Sequence, residues 1–160
     1  MNIFILDLDI TRSAQFHMNR HVCSSLKEMA QMMCTNLAVH FGVETPYKPT
    51  HINHPCTCWL IKSKPNWVYG LELAKALHDE WRFRFKHSSK EFHKSYEVII
   101  NLPYPNISST RLTPFVLATN GWIIPSDPVA SYRKYYIEEK QHLAEWGTRG
   151  APSWWEERKN

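Results

Sequence analysis

Glycine is scarce in this chain, 5 in 160 residues. That excludes a hairpin-rich sandwich and a glycine-loop nucleotide binder, both of which need residues free to adopt positive φ. No apolar run approaches the roughly 20 residues of a membrane span, so no membrane partner is expected. The opening Met1–Arg12 lacks a basic n-region and carries Asp7 and Asp9 after only four hydrophobes. It does not read as a signal peptide, and a cytoplasmic location is expected. Only four cysteines are present, and without export they are expected as buried, inert thiols. Cys56 and Cys58 follow His51 and His54, but Cys-x-Cys with no second ligand pair is not a zinc spacing. No metal and no cofactor are expected.

What is present is hydrophobic and aromatic: 43 % hydrophobic residues, and seven each of Trp, Tyr and Phe. That suffices for one ordinary core, and the reading is a single domain over 1–160, mainly α, with a long first helix and irregular proline-rich segments. Residues 2–6 read as a short strand or an extended, buried start. Thr11 or Asp9 then caps a helix over 11–41 that Gly42 closes. Residues 43–55 form a loop, and a short helix follows Pro55. A second long helix covers 66–86, with Trp67, Leu71, Ala74, Leu77, His78, Trp81 and Phe85 as its core stripe. Further helices are expected over 90–100 and 127–146, the latter capped by Asp127 with Pro128 at its first position. Between them lies an irregular stretch with a turn of helix around Phe115 to Ala118.

On the first helix, Met18, Val22, Leu26, Met29, Met33 and Leu37 share one arc. His17, His21, Ser24, Glu28, Gln31 and Thr35 share the opposite one. Solvated stripes favour Lys, Glu and Arg, whereas these groups titrate near neutrality or hydrogen-bond at short reach. The stripe therefore reads as the wall of a cleft, with His17, His21 and Glu28 as candidate acid-base groups.

The net charge is +4, which permits nucleic-acid binding without demanding it. Arg82, Arg84, Lys86, His87, Lys90, His93 and Lys94 interleave with Phe83, Phe85 and Phe92. This pattern suits either a phosphate-tracking surface or a solvated helix end.

Three ordered segments carry a family resemblance: Ala14-Gln15-Phe16-His17, the stretch from His54 to Phe85, and Tyr132-Arg133-Lys134-Tyr135-Tyr136. Together they cover about half the chain. They resemble the phage pyrimidine-dimer DNA glycosylase family, the endonuclease V group, and more closely small phage proteins of that type. The resemblance implies a helical protein that grips double-stranded DNA and extracts a nucleotide. In that family an N-terminal α-amine attacks the sugar C1′ and a first-helix glutamate assists. An α-amine suits this because its ordinary pKa near 8 leaves a usable neutral fraction at pH 7. Two positions differ here: the chain opens Met1-Asn2 where the family has threonine after methionine removal, and Glu28 lies about one turn beyond the family's glutamate.

The expected function is thus a DNA glycosylase acting on a damaged or modified pyrimidine, by an imine or by a hydrolytic route using Glu28, Asp7 or Asp9. The alternative is a non-catalytic nucleotide- or nucleic-acid-binding phage accessory protein. The expected catalytic residues are His17, His21 and Glu28. Arg20, Arg82, Arg84, Lys90, Arg133 and Lys134 are the expected DNA contacts. Trp59, Tyr132 and Tyr136 are the expected base-stacking rings. Asp7 and Asp9 are read first as caps of the first helix, and a monomer is expected.

Overall fold

In the computed structural model, which describes residues 1–119 and 121–159, seven α-helices carry the fold and no strand occurs among the described residues. In chain order they are α1 Ile10–Phe16, α2 Asn19–Phe41, α3 Pro55–Ile61, α4 Lys64–Phe85, α5 Lys94–Asn101, α6 Pro128–Glu139 and α7 Ser153–Glu156. Helix α2 packs on α3, α4 and α5, while α1 lies against α4.

The helix ends follow the side chains placed there. Asp9 caps α1 by accepting from the Arg12 N–H at 2.8 Å. His54 and His93 cap α3 and α5 with Nδ1, and Asp127 caps α6 ahead of Pro128. Gly42 closes α2 at φ 64°, in the left-handed region that suits a residue without Cβ. Ser63 caps α4, so Lys64 and Pro65 form its first turn and the helix begins two residues before the expected 66. Proline is harmless there because the first N–H groups of a helix have no internal partner.

The expected single helix over 11–41 is two helices. His17 and Met18 are extended, at ψ 138° and 153°. No glycine or proline marks the break; side chains from elsewhere hold it open. Arg84 donates to the carbonyls of His17 (2.6 Å) and Gln15 (2.7 Å), and Trp146 donates its indole N–H to Phe16 (2.8 Å). These carbonyls would otherwise end α1 unpartnered in the core.

The inward face of α4 also differs from the expected stripe. Phe85 is exposed and Trp81 half-buried, while Glu80 and Arg84 turn inward and pair at 2.8 Å. Arg149 pairs with Glu80 as well, fastening the C-terminal segment to α4. Helix α6 ends at Glu139 rather than 146, yet Trp146 is still buried through its bond to Phe16. Helix α5 starts at Lys94, not 90, and residues 115–118 form no helix.

Residues Ile3 to Leu6 thread the core in extended form. With no neighbouring strand, their backbone is served by side chains. Ser13 Oγ accepts from the Leu6 N–H at 3.0 Å, and Arg133 donates Nε–H to the Leu6 carbonyl at 2.9 Å. The irregular stretch 102–119 is tied down in the same manner. Asn66 bonds Trp59 and Thr113, and the Trp59 indole donates to Pro114.

Gly70 marks the closest approach within this core. A Cβ there would lie 2.7 Å from Leu60 Cδ2 and 2.9 Å from Met33 Cε. Gly70→Val is expected to cost about 1–3 kcal/mol from overpacking, read as a lower urea midpoint. An unchanged midpoint would mean that α2, α3 and α4 do not meet so closely.

Candidate active site

The polar stripe of the first helix does not face bulk water: His17, His21 and Thr35 are buried, and Ser24, Glu28 and Gln31 are partly so. The three candidate catalytic groups have distinct environments. The ring of Phe4 stacks on His21 at 4.8 Å and meets His17 edge-on at 5.8 Å and Tyr136 at 5.1 Å.

His17 is fully buried and lies 2.7 Å from the Ser13 carbonyl through Nδ1. A carbonyl only accepts, so Nδ1 carries the proton and Nε2 is left as a buried acceptor without a partner. Burial pushes its pKa down to about 3. The expectation that His17 lines an open cleft is therefore corrected. It is a neutral core ring with no path to a substrate.

His21 bonds the Tyr136 hydroxyl at 2.7 Å. Burial first, then the positive charges of Lys140 and Arg20, lower its pKa to about 4. It is neutral at pH 7, so it does not supply the proton that the acid role assigned to it requires.

Glu28 is the candidate that reaches the surface, its side chain 28 % exposed. It accepts a hydrogen bond from the Asn2 backbone N–H at 2.9 Å and lies 3.9 Å from the Met1 α-amino group. Asn2 is held in turn: its amide donates to the Ala118 carbonyl at 3.1 Å, and its Oδ1 lies 3.4 Å from the Tyr132 hydroxyl oxygen. Buried Cys56 lies on the same Oδ1 at 3.9 Å, and burial pushes its thiol up to about 11, which leaves it protonated. The chain start is thus fixed against α2, α3 and α6 with an amine and a carboxylate side by side.

The base-stacking set is corrected outright. Trp59, Tyr132 and Tyr136 are at most 1 % exposed. Trp59 packs edge-on to Tyr69, and the Tyr132 hydroxyl donates to the Val116 carbonyl at 2.9 Å. Periodicity places such rings on an inward face but does not distinguish a core from a pocket floor.

Among the proposed DNA contacts, Arg84 is buried and committed to Glu80 and the end of α1, so it touches no phosphate. Arg82 donates to the Glu91 carbonyl at 2.8 Å and covers the Phe92 ring, which folds the loop after α4 back on itself. Arg133 is divided between the Leu6 carbonyl and Asp7, 3.2 Å away. Asp7 also pairs with Arg12 at 3.3 Å, so Asp7 and Asp9 organise the entry to α1. Arg20, Lys90 and Lys134 stay exposed. Lys134 lines a concavity of about 790 Å³ that it shares with Asp7, Asp127 and Glu138, a mixed-charge surface.

A second cavity, about 750 Å³, lies between α2 and the loop leading into α5, with Arg20, Lys27 and Lys94 on its rim. Lys27 was not singled out by the sequence, although Arg20 and Lys27 stand seven residues apart, two turns along one face. All four cysteines are free, and among the described residues no three His, Cys, Asp or Glu side chains gather as metal ligands. Among the described residues no helix is long and apolar enough to cross a membrane. Comparison with known protein families, with curated proteins and with solved structures finds no match.

Proposed function

We propose that this chain cleaves the N-glycosidic bond of a damaged or modified pyrimidine in double-stranded DNA, with the Met1 amine and Glu28 as the reacting pair. The observation that carries this reading is the Glu28 carboxylate, partly buried on α2, 3.9 Å from that amine. The resemblance of the first helix and of the Tyr132–Tyr136 run to the pyrimidine-dimer glycosylases supports it. In this chemistry the amine displaces the base at C1′. Its proton passes to Glu28 or solvent, and the departing base nitrogen takes one up. The sugar ring then opens to an iminium as O4′ takes the proton that Glu28 or solvent had accepted, and the regenerated Glu28 carboxylate stabilises the cation. His17 and His21 pack against Phe4 and Tyr136 and transfer no proton.

The test is incubation of the full chain with duplexes bearing different modified pyrimidines, with borohydride in parallel. Base release with a trapped protein–DNA adduct is the expected result. Glu28→Gln keeps the acceptor for the Asn2 N–H but loses the charge, and should lower release about 100-fold or more. Its unfolding midpoint should stay within about 1 kcal/mol of the parent. Release without trapping overturns the amine in favour of activated water. Duplex binding with no release overturns the enzyme reading.

A further inference from the structure

We infer that the cavity between α2 and the α4–α5 loop binds a single nucleotide, its base against a column of rings and its phosphate among three lysine and arginine side chains. The site lies on the face of α2 next to Glu28 and does not rest on the glycosylase reading, since it needs no bond to break.

Its walls are mostly apolar and its volume, about 750 Å³, falls within the roughly 300–1,000 Å³ of small-molecule sites. One wall is a stack of flat groups. His78 lies parallel to Trp81 (5.4 Å between centroids, 19° between planes), and Trp81 lies parallel to His87 (3.7 Å, 14°). Both Trp81 and His87 line the cavity, so this end of the column forms part of its wall. A further planar ring extends such a column by offset stacking, whatever its sequence identity, because every base has a π-face. Phe92 adds a second ring to the lining, and the Arg82 guanidinium lies over it at 4.7 Å.

The same lining carries Arg20 and Lys27 from α2 and Lys94 from the first turn of α5. Among the described residues none of the three has a carboxylate within 4.0 Å. The one acid in the lining is already engaged: Glu91 accepts from the Ser88 N–H at 2.7 Å and meets His87 Nδ1 at 3.0 Å. Those hydrogen bonds hold its carboxyl at about 2. A neutral aromatic would leave the cations unused, and a bare anion would leave the rings unused. A base with its phosphate uses both.

The test titrates the full chain with a pyrimidine and a purine nucleoside 5′-monophosphate, following tryptophan fluorescence and calorimetric heat. The matching nucleosides and inorganic phosphate serve as separate arms. The nucleotide should bind about 10-fold tighter than either half. Arg20→Glu with Lys94→Glu should weaken it about 10-fold or more. Both side chains are exposed, so unchanged helical circular dichroism confirms that the variant is folded. His87→Ala, which shortens the column without touching the cations, should weaken nucleotide more than phosphate. A short single-stranded oligonucleotide runs alongside: whichever of strand and free nucleotide binds more tightly is the source of the ligand. Phosphate competing as well as the nucleotide overturns the proposal. So does the absence of saturation at millimolar nucleotide, or affinity untouched by both variants.

Discussion

Arg84→Met should lower the unfolding free energy by about 3–5 kcal/mol, the usual cost of removing one partner from a buried ion pair. Arg84 is only 6 % exposed, and its guanidinium serves Glu80, the His17 carbonyl and the Gln15 carbonyl at once. Methionine fills most of the space but leaves those carbonyls without donors, and Arg149 alone on Glu80. Arg84→Lys should recover little, because one ammonium does not reproduce the planar fork that spans carboxylate and carbonyls. Urea unfolding at neutral pH measures both variants. A loss under about 1 kcal/mol for Arg84→Met would mean that the break between α1 and α2 is held by other contacts.

The second large effect is acid sensitivity. His17 has its pKa lowered to about 3, and His21 and His78 to about 4, burial being the leading cause in each. An unfolded histidine titrates near 6.5. Above that value both states are neutral and these groups impose no pH dependence. Below it the unfolded chain takes up protons that the folded chain refuses. Stability therefore falls as pH drops from about 6.5 toward 4, by about 1.4 kcal/mol per pH unit for each ring. Three rings together remove on the order of 5 kcal/mol by pH 5, which is much of what an ordinary domain has. Unfolding midpoints should be level between pH 7 and 8 and fall steeply below 6.5. His78→Phe keeps a flat ring between Trp81 and Tyr96 and should lessen that slope. Equal stability at pH 7.5 and 5 would show that these imidazoles are not sealed from water.

Much of the fold was legible because its signals are local. Asp9, Gly42, Asp127 and Pro128 mark helix ends through their own backbone geometry, and Met18 to Leu37 announce a buried face by spacing. The break at His17–Met18 was not legible, because its cause is an arginine 67 residues away in sequence. The inward turn of Glu80 and Arg84 was hidden for a related reason. Charged residues at helical spacing read as surface unless their partners, here Arg149 and the end of α1, are known. At the site, the unusual composition of the His17–Thr35 stripe correctly indicated that it avoids bulk water. It did not separate a histidine packed on Phe4 from one lining a cleft, because both call for a short polar ring on the same face. Asn2 carried no signal at all, since only the folded chain brings it to Glu28, Ala118 and Tyr132.

The extended segment Ile3–Leu6 carries a consequence for the order of assembly. It leaves the ribosome ahead of the helices, yet its Leu6 carbonyl waits for Arg133, 127 residues later, and its Phe4 ring waits for Tyr132 and Tyr136. Helices α2 to α4 can pair as they emerge, since their contacts are close in sequence. The apolar stretch that belongs between them and α6 is secured only once α6 has been synthesised. Until then the four hydrophobic side chains of Ile3 to Leu6 lack their final cover. The period of greatest aggregation risk is therefore during translation, and slowing synthesis ahead of α6 should lengthen it.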